Sequence, residues 1–288
     1  MNNIHQNVTQ EIINAMKKAT EFEMPWHCQD QLPINAVTNK AYSGINTVSL
    51  WANGLRSEFK SNQWATYKQW QSIGGQVNRG EKGSGIIIYK PLPTDDNEKA
   101  KVLIRSATVF NVEQVSNVDD LVGQPDLIDK TERLKVVDDF IKKTNAKINI
   151  QGNKAYYIPS TDEIYIPDRE QFKGTLTSDP TECYYSTLLH ELIHWTGHQE
   201  RCERDLSSRF GSDGYAMEEL IAELGAAFLC AELNITQSVR QDHANYINNW
   251  VSVLEHDEKA IFWASARASE AAVYLRSIQP KQVDVFSL

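Results

Sequence analysis

The run from Leu188 to His198, Leu-Leu-His-Glu-Leu-Ile-His-Trp-Thr-Gly-His, constrains this chain more than any other. It places a His-Glu-x-x-His pattern inside an apolar segment. On a helix, His190 and His194 stand one turn apart on one face, a spacing at which two imidazoles can hold one divalent ion. Glu191 then lies beside the ion without having to bind it, and can take a proton from water. Leu188, Leu189, Leu192 and Ile193 fill the remaining faces, so the helix should be buried. Two histidines and a glutamate in a buried helix are costly unless they are paired or bound to metal. The five-residue pattern also arises by chance, with hydrogen-bonded core histidines as the ordinary alternative. Its meaning therefore depends on its neighbours.

Upstream, the spacing predicts a helix over Asp129–Thr144, capped by Asp129 with Glu132 three residues on. Three strands follow, Lys147–Ile150, Ala155–Ile158 and Glu163–Ile166, with a tight Ser160-Thr161-Asp162 turn between the last two. A helix and small sheet directly before a His-Glu-x-x-His helix is the layout of zincin-class metallopeptidases, whose edge strand pairs with an extended substrate. Downstream, Glu218–Leu229 reads as a largely apolar helix on which Glu219 and Glu223 share a face. A catalytic zinc takes three protein ligands and keeps one position open. The pair resembles the thermolysin-like arrangement. Glu219 is assigned as the third ligand and Glu223 as the acceptor of a hydrogen bond from a ligand histidine. The reverse assignment stays open, and Glu218 is a weaker candidate. Glu200, at the end of His194-x-x-Gly197-x-x-Glu200, and His198 rank below Glu219; His198 reads as a hydrogen-bonding group beside the site. Tyr215 is a candidate oxyanion donor or a packing residue. Two further helices, Asp242–His256 and Asp257–Ile278, should cover the catalytic pair.

The 288 residues leave room for a second domain. The net charge of −9 is unevenly spread: Met24–Gln114 carries ten Lys and Arg against seven Asp and Glu, while Pro125–Leu288 alone sums to −9. The first part reads as a small α+β domain. It has helices over Thr9–Phe22 and Asn46–Gly54, and a loop-like stretch between them from Leu32 to Gly44. A capping box at Thr66 and Gln69 opens the next helix, Gly74-Gly75 ends it, and strands flank the turn Asn78–Gly83. Aromatics (Trp26, Tyr42, Trp51, Trp64, Tyr67, Trp70, Tyr89) alternate with cations there. Aromatic faces stack on bases and cations track phosphates, the chemistry of sequence-tolerant single-strand binding. At least half of these rings should be core instead. Lys40, Trp64, Lys68, Arg79 and Lys82 are the candidate contacts, with the Gly-rich turn the better site. A polar linker is placed at 116–127, dividing a domain over 1–115 from one over 128–288. The four cysteines form no C-x-x-C pair, which suits a reducing cytoplasm and argues against a cysteine-built metal site. No apolar run is long enough to span a membrane.

Taken in order, several stretches resemble the ArdC-type antirestriction proteins of conjugative plasmids and the N-terminal region of TraC-type plasmid primases. They are Leu32-Pro33-x-Asn35, Tyr42-x-Gly44-Ile45-Asn46, Trp64-x-Thr66-Tyr67-x-Gln69, Gly74-Gly75-x-Val77, Gly80-Glu81-Lys82-Gly83, Val109-Phe110-Asn111-Val112-x-Gln114, His190–His198, Arg201-x-x-Arg204 and Glu218–Leu229. The resemblance implies a single-stranded-DNA-binding domain joined to a zincin-like metallopeptidase domain, and protection of incoming plasmid DNA from host restriction. The reading is an α+β protein with one divalent ion, zinc or alternatively manganese, held by His190, His194 and Glu219. Its partners would be single-stranded DNA and an unidentified protein substrate. Two rivals remain: a single-strand-binding module whose metal site is structural, and an acidic DNA mimic, disfavoured because the acidic residues are dispersed.

Overall fold

The computed structural model describes residues 4–18, 26, 31–91, 102–118, 130–175, 178–209, 211–236 and 244–280. The protein is α+β, and the chain divides into two compact units, residues 1–126 with 254–262 and residues 127–253 with 263–288. The first unit holds α1 (Ile4–Lys18), β1 (Ile34–Asn35), α2 (Ile45–Ser57), β2 (Gln63–Thr66), α3 (Tyr67–Ser72), β3 (Gln76–Val77), β4 (Ser84–Pro91), β5 (Val102–Asn111) and β6 (Val115–Ser116). The second holds α4 (Lys130–Lys143), β7 (Lys147–Ile150), β8 (Tyr156–Ile158), β9 (Glu163–Ile166), α5 (Pro180–Thr196) and α6 (Asp213–Glu232). The last two helices are α7 (Ala244–His256) and α8 (Ala260–Ser277). Among the described residues no helix is long and apolar enough to cross a membrane.

In the first unit four strands run in the order β1-β2-β5-β4, parallel only between β1 and β2, and β3 pairs with β6 in a separate two-stranded ribbon. The strands flanking the Asn78–Gly83 turn therefore do not pair with each other. Successive residues of β2 point to opposite faces of its sheet. Trp64 packs with Leu50, Ile86 and Val109, whereas Ala65 packs with Trp70, Val77, Val115 and Val118. Both faces of β2 are thus covered, and its tryptophan belongs to the core. The predicted capping box forms: the Thr66 side chain accepts from the Gln69 N–H, and the Gln69 side chain accepts from the Thr66 N–H. Asn46 pairs with the backbone of Ile87 on the outer side of β4 through two hydrogen bonds of 2.7 and 2.8 Å, which occupies part of an otherwise open edge.

Residues 254–262 join the first unit rather than the second because α1 is tied to them. The Thr9 hydroxyl donates to the Glu258 carbonyl at 2.6 Å, and the His5 ring meets Phe262 edge-on at 4.6 Å. The apolar stripe of α1 (Val8, Ile12, Ile13, Met16) is buried. That helix starts earlier than Thr9; residues 19–22, where the sequence placed its end, lie outside the described residues, as do Asp129 and most of the linker.

In the second unit the small sheet runs β7-β9-β8, with β7 parallel and β8 antiparallel to the central β9. Helix α5 is buried along most of its length. Asp179 caps it in a capping box with Glu182, and Pro180 occupies its first turn, where a missing N–H costs nothing. Helix α6 crosses α5 at Gly225, where a Cβ would sit 2.8 Å from the Ile193 side chain, so only glycine permits this approach. That crossing brings the acidic face of α6 against the histidine face of α5.

Candidate metal centre and nucleic-acid face

His190 and His194 turn their Nε2 atoms toward each other at 3.2 Å. The Glu219 carboxylate meets both, 3.6 Å from His190 Nε2 and 3.5 Å from His194 Nε2. Among the described residues these three form the group that could hold an ion. Four ligands at about 2.1 Å in a tetrahedron lie about 3.4 Å apart. Each separation is close to such an edge, with Glu219 Oε2 nearest His190 and Oε1 nearest His194. The charges also fit. Glu218, Glu219 and Glu223 gather around two imidazoles in a buried space, and Arg204 pairs with Glu218. A divalent ion would balance the rest.

Behind each imidazole stands its own carboxylate. His190 Nδ1 lies 3.5 Å from Glu223 Oε2, the partner assigned from sequence. His194 Nδ1 lies 3.1 Å from Glu218 Oε1, a role the sequence did not assign. Glu218 is in turn gripped by Arg204, whose Nε and Nη2 donate to its two oxygens at 3.0 and 2.9 Å. Arg204 also donates to the Ile193 carbonyl at 2.6 Å and to the Thr196 hydroxyl at 2.9 Å, using acceptors at the end of α5. One guanidinium thus ties the C-terminus of α5 to the first turns of α6. The signal was present: two arginines, Arg201 and Arg204, follow the helix end, where cations satisfy the last carbonyls. Arg201 donates to the Trp195 carbonyl at 2.7 Å, lies over its ring, and pairs with Asp162 in the β8–β9 turn.

Electrostatics follow from these contacts. Burial opposes a charged His194, but hydrogen bonds to Glu218 and Glu219 outweigh it and raise its pKa to about 10. Burial would push Glu219 up, yet its bonds to His190 and His194 hold it far below the usual carboxylate range. Glu218 is likewise lowered against burial, by His194 and Arg204.

The site opens into a cleft lined by Ala155, Tyr156 and Tyr157 of the β8 segment, by Glu191, and by Tyr215. Glu191 is itself buried, 2% exposed. His198 is not among the lining residues; it sits in the turn after α5, where its Nδ1 accepts the Glu200 N–H at 3.3 Å. Glu200 is exposed.

On the first unit, Lys40, Lys68, Arg79 and Lys82 are all exposed. Trp64 is not: it is 2% exposed and packed edge-on against Phe59, so it has no face for a base, and its assignment as a contact is corrected. Trp26, Trp51 and Trp70 are buried as well, whereas Tyr67 and Tyr89 are 43% and 50% exposed. Gln114 fixes the Gly-rich turn through Glu81 Oε2 and the Lys82 carbonyl, at 2.8 and 3.0 Å. Gly83 lies so close to β5 that a Cβ would fall 2.3 Å from Thr108 Cγ2.

Both halves have counterparts among known proteins. Residues 135–267 match a family model described as a zincin-like metallopeptidase, and residues 2–118 match the N-terminal domain of anti-restriction factor ArdC. Uncharacterized protein y4eC of Sinorhizobium fredii (strain NBRC 101917 / NGR234) is 35% identical over 291 residues, covering 96% of this chain and 92% of that one. DNA primase TraC of Escherichia coli is 34% identical over 97% of this chain, which spans 27% of the primase. The crystal structure of antirestriction ArdC from plasmid R388 in metal-free form has a TM-score of 0.79 and 34% identity, covering 96% of this chain and 97% of that one. The Mn(II)-bound form of the same protein gives 0.77 and 32%, covering 96% and 98%. Fold and site thus define a zincin-like domain joined to an ArdC N-terminal domain. The chain belongs to the ArdC antirestriction family.

Proposed function

We propose that this chain is a cytoplasmic antirestriction protein that binds single-stranded DNA and carries a metal-dependent peptidase, protecting incoming plasmid DNA from host restriction during conjugation. The observation that carries the peptidase reading is the convergence of His190, His194 and Glu219 at 3.2–3.6 Å, with a further carboxylate behind each imidazole. These three would hold zinc or manganese; the manganese alternative draws support from the R388 relative, which has been crystallised with Mn(II). Bound there, a divalent ion supplies a Lewis acid and makes water a better nucleophile near neutral pH. Glu191, buried on the cleft wall, takes the proton of the attacking water and returns it to the departing amine. Tyr215 on the same cleft donates a hydrogen bond to the oxygen that gains charge. β8 ends its sheet, so its open side accepts an extended peptide by strand addition.

Glu191→Gln keeps the size of the side chain and all three ligands. The variant should bind zinc or manganese as tightly as the parent, by calorimetry, and lose digestion of an unfolded protein such as reduced casein by about 100-fold or more. Unchanged digestion removes Glu191 from the mechanism. For the first unit, the exposed cations Lys40, Lys68, Arg79 and Lys82 support phosphate tracking. Binding of the full chain to a single-stranded oligonucleotide should weaken steeply with salt, and binding indifferent to salt contradicts that reading.

A further inference from the structure

The cations of the first unit are scattered, but the structure gathers one set of side chains into a groove of about 560 Å³. That lies within the roughly 300–1,000 Å³ range of small-ligand sites. Tyr67, Phe110, Gln76, Asn78, Arg79 and Glu81 line it together with Val77. We propose that this groove is a stacking subsite for one unpaired base of single-stranded DNA, with the Tyr67 ring as platform and Arg79 holding the adjoining phosphate. The proposal rests on the single-strand-binding reading above and adds to it a place and a mode.

Three features carry it. Tyr67 opens α3, and its ring is 43% exposed while the tryptophans around it are buried. Its orientation is fixed, because Gln76 Nε2 donates to the hydroxyl at 3.2 Å. A ring held in place loses little entropy when a base lies on it. Arg79 and Lys82 stand on a turn that cannot drift: Asn78 N–H donates to the Gln114 carbonyl at 2.9 Å, Gln114 holds Glu81 and Lys82, and Gly83 is pressed against β5. Lys68, next in sequence to Tyr67, adds a further exposed cation. Positive charge and an aromatic face beside it complement a single strand, whose unpaired bases offer π-faces and whose phosphates are anionic.

The groove's polar groups also say how it would discriminate. Gln76 gives its amide hydrogens to Tyr67 and to the Val77 carbonyl at 3.0 Å, the Ser116 hydroxyl donates to Asn78 Oδ1, and Gln114 occupies Glu81 Oε2. These bonds take up the Gln76 amide hydrogens, Asn78 Oδ1 and Glu81 Oε2, while the Tyr67 ring and Arg79 are exposed. Recognition through the ring face and the phosphate makes the groove tolerant of base identity and favours single strands over duplexes, whose bases are already stacked.

The test is fluorescence anisotropy of the full chain with a labelled oligothymidine, and with an oligonucleotide of the same length whose bases are removed. Tyr67→Ala should weaken binding to oligothymidine about 5- to 150-fold, the range of one lost base–aromatic contact. Tyr67→Phe, which keeps the ring and loses only the Gln76 hydrogen bond, should lose far less than Tyr67→Ala. The loss should vanish on the abasic strand, which a merely structural role for Tyr67 could not produce. Arg79→Ala, in the exposed turn, should weaken binding to both strands and reduce the salt slope by about 0.7. A parent that binds, with Tyr67→Ala folded and equal to it, overturns the subsite and leaves the single-strand reading standing. So does an equal loss on both strands. A parent that binds no single strand overturns both.

Discussion

Around His190 and His194, buried ionisable side chains are held within 3.6 Å of one another, each imidazole meeting its carboxylate and one carboxylate meeting Arg204. Around Tyr67 and Arg79, by contrast, a ring and a cation stand open to water. The difference is one of dielectric. A buried charge without a partner costs several kcal/mol, so in the cleft each group dictates the position of the next. An exposed charge is satisfied by solvent and dictates little. The cleft should therefore respond to single substitutions with large, coupled losses, and the groove with modest, separable ones.

Arg204→Ala should give the largest effect. It leaves Glu218 buried beside His194 without its cation and releases acceptors at the end of α5. A loss of roughly 3–5 kcal/mol in chemical denaturation is expected, as for one partner removed from a buried pair. A loss below 1 kcal/mol would place Arg204 among surface pairs and break the contrast. Next come Glu218→Gln and Glu223→Gln, each of which weakens the hold on one imidazole while leaving all three ligands. Each should lower zinc or manganese affinity by about 10- to 100-fold in calorimetric titration. If only one does, the two imidazoles are not oriented alike.

Proton and metal compete for His194, and the sign can be worked out. Its folded-state pKa is raised from 6.5 to about 10, so its contribution to the stability of the metal-free protein is fully present below 6.5 and is lost as pH rises through about 10. The melting temperature of metal-free protein should fall across that window. Zinc-loaded protein, whose ligand is already deprotonated, should fall less, and parallel curves would contradict the assignment. The smallest effect belongs to the open face: Lys82→Ala should lower single-strand affinity only a few-fold, equally for all sequences, with the salt slope reduced by about 0.7.

The same contrast explains what the sequence could tell. His190, His194, Glu219 and Glu223 were legible because helical spacing is local: four residues bring two side chains to one face wherever the helix lies. Glu218 was ranked as a spare ligand because its role depends on how α6 is rotated against α5, which the Gly225–Ile193 contact sets. Arg204 reaches back across a turn to Ile193, and only its position after the helix hinted at this. Trp64 misled because burial of β2 depends on strand order. In hindsight the unbroken Trp64-Ala65 pair, rather than an alternating pattern, is the mark of a strand covered on both faces. Tyr67 was one aromatic among seven, and nothing local separated an exposed ring at a helix start from a core ring.

The proposed metal site is a single ion held by two imidazoles of α5 and one carboxylate of α6. Anomalous diffraction from crystals grown with zinc or manganese tests it most directly. One peak is expected about 2.0–2.2 Å from His190 Nε2, His194 Nε2 and a Glu219 oxygen, with Glu218 and Glu223 beside the rings and not on the ion. A peak held by Glu223 in place of Glu219, or a metal bound away from both histidines, would contradict it.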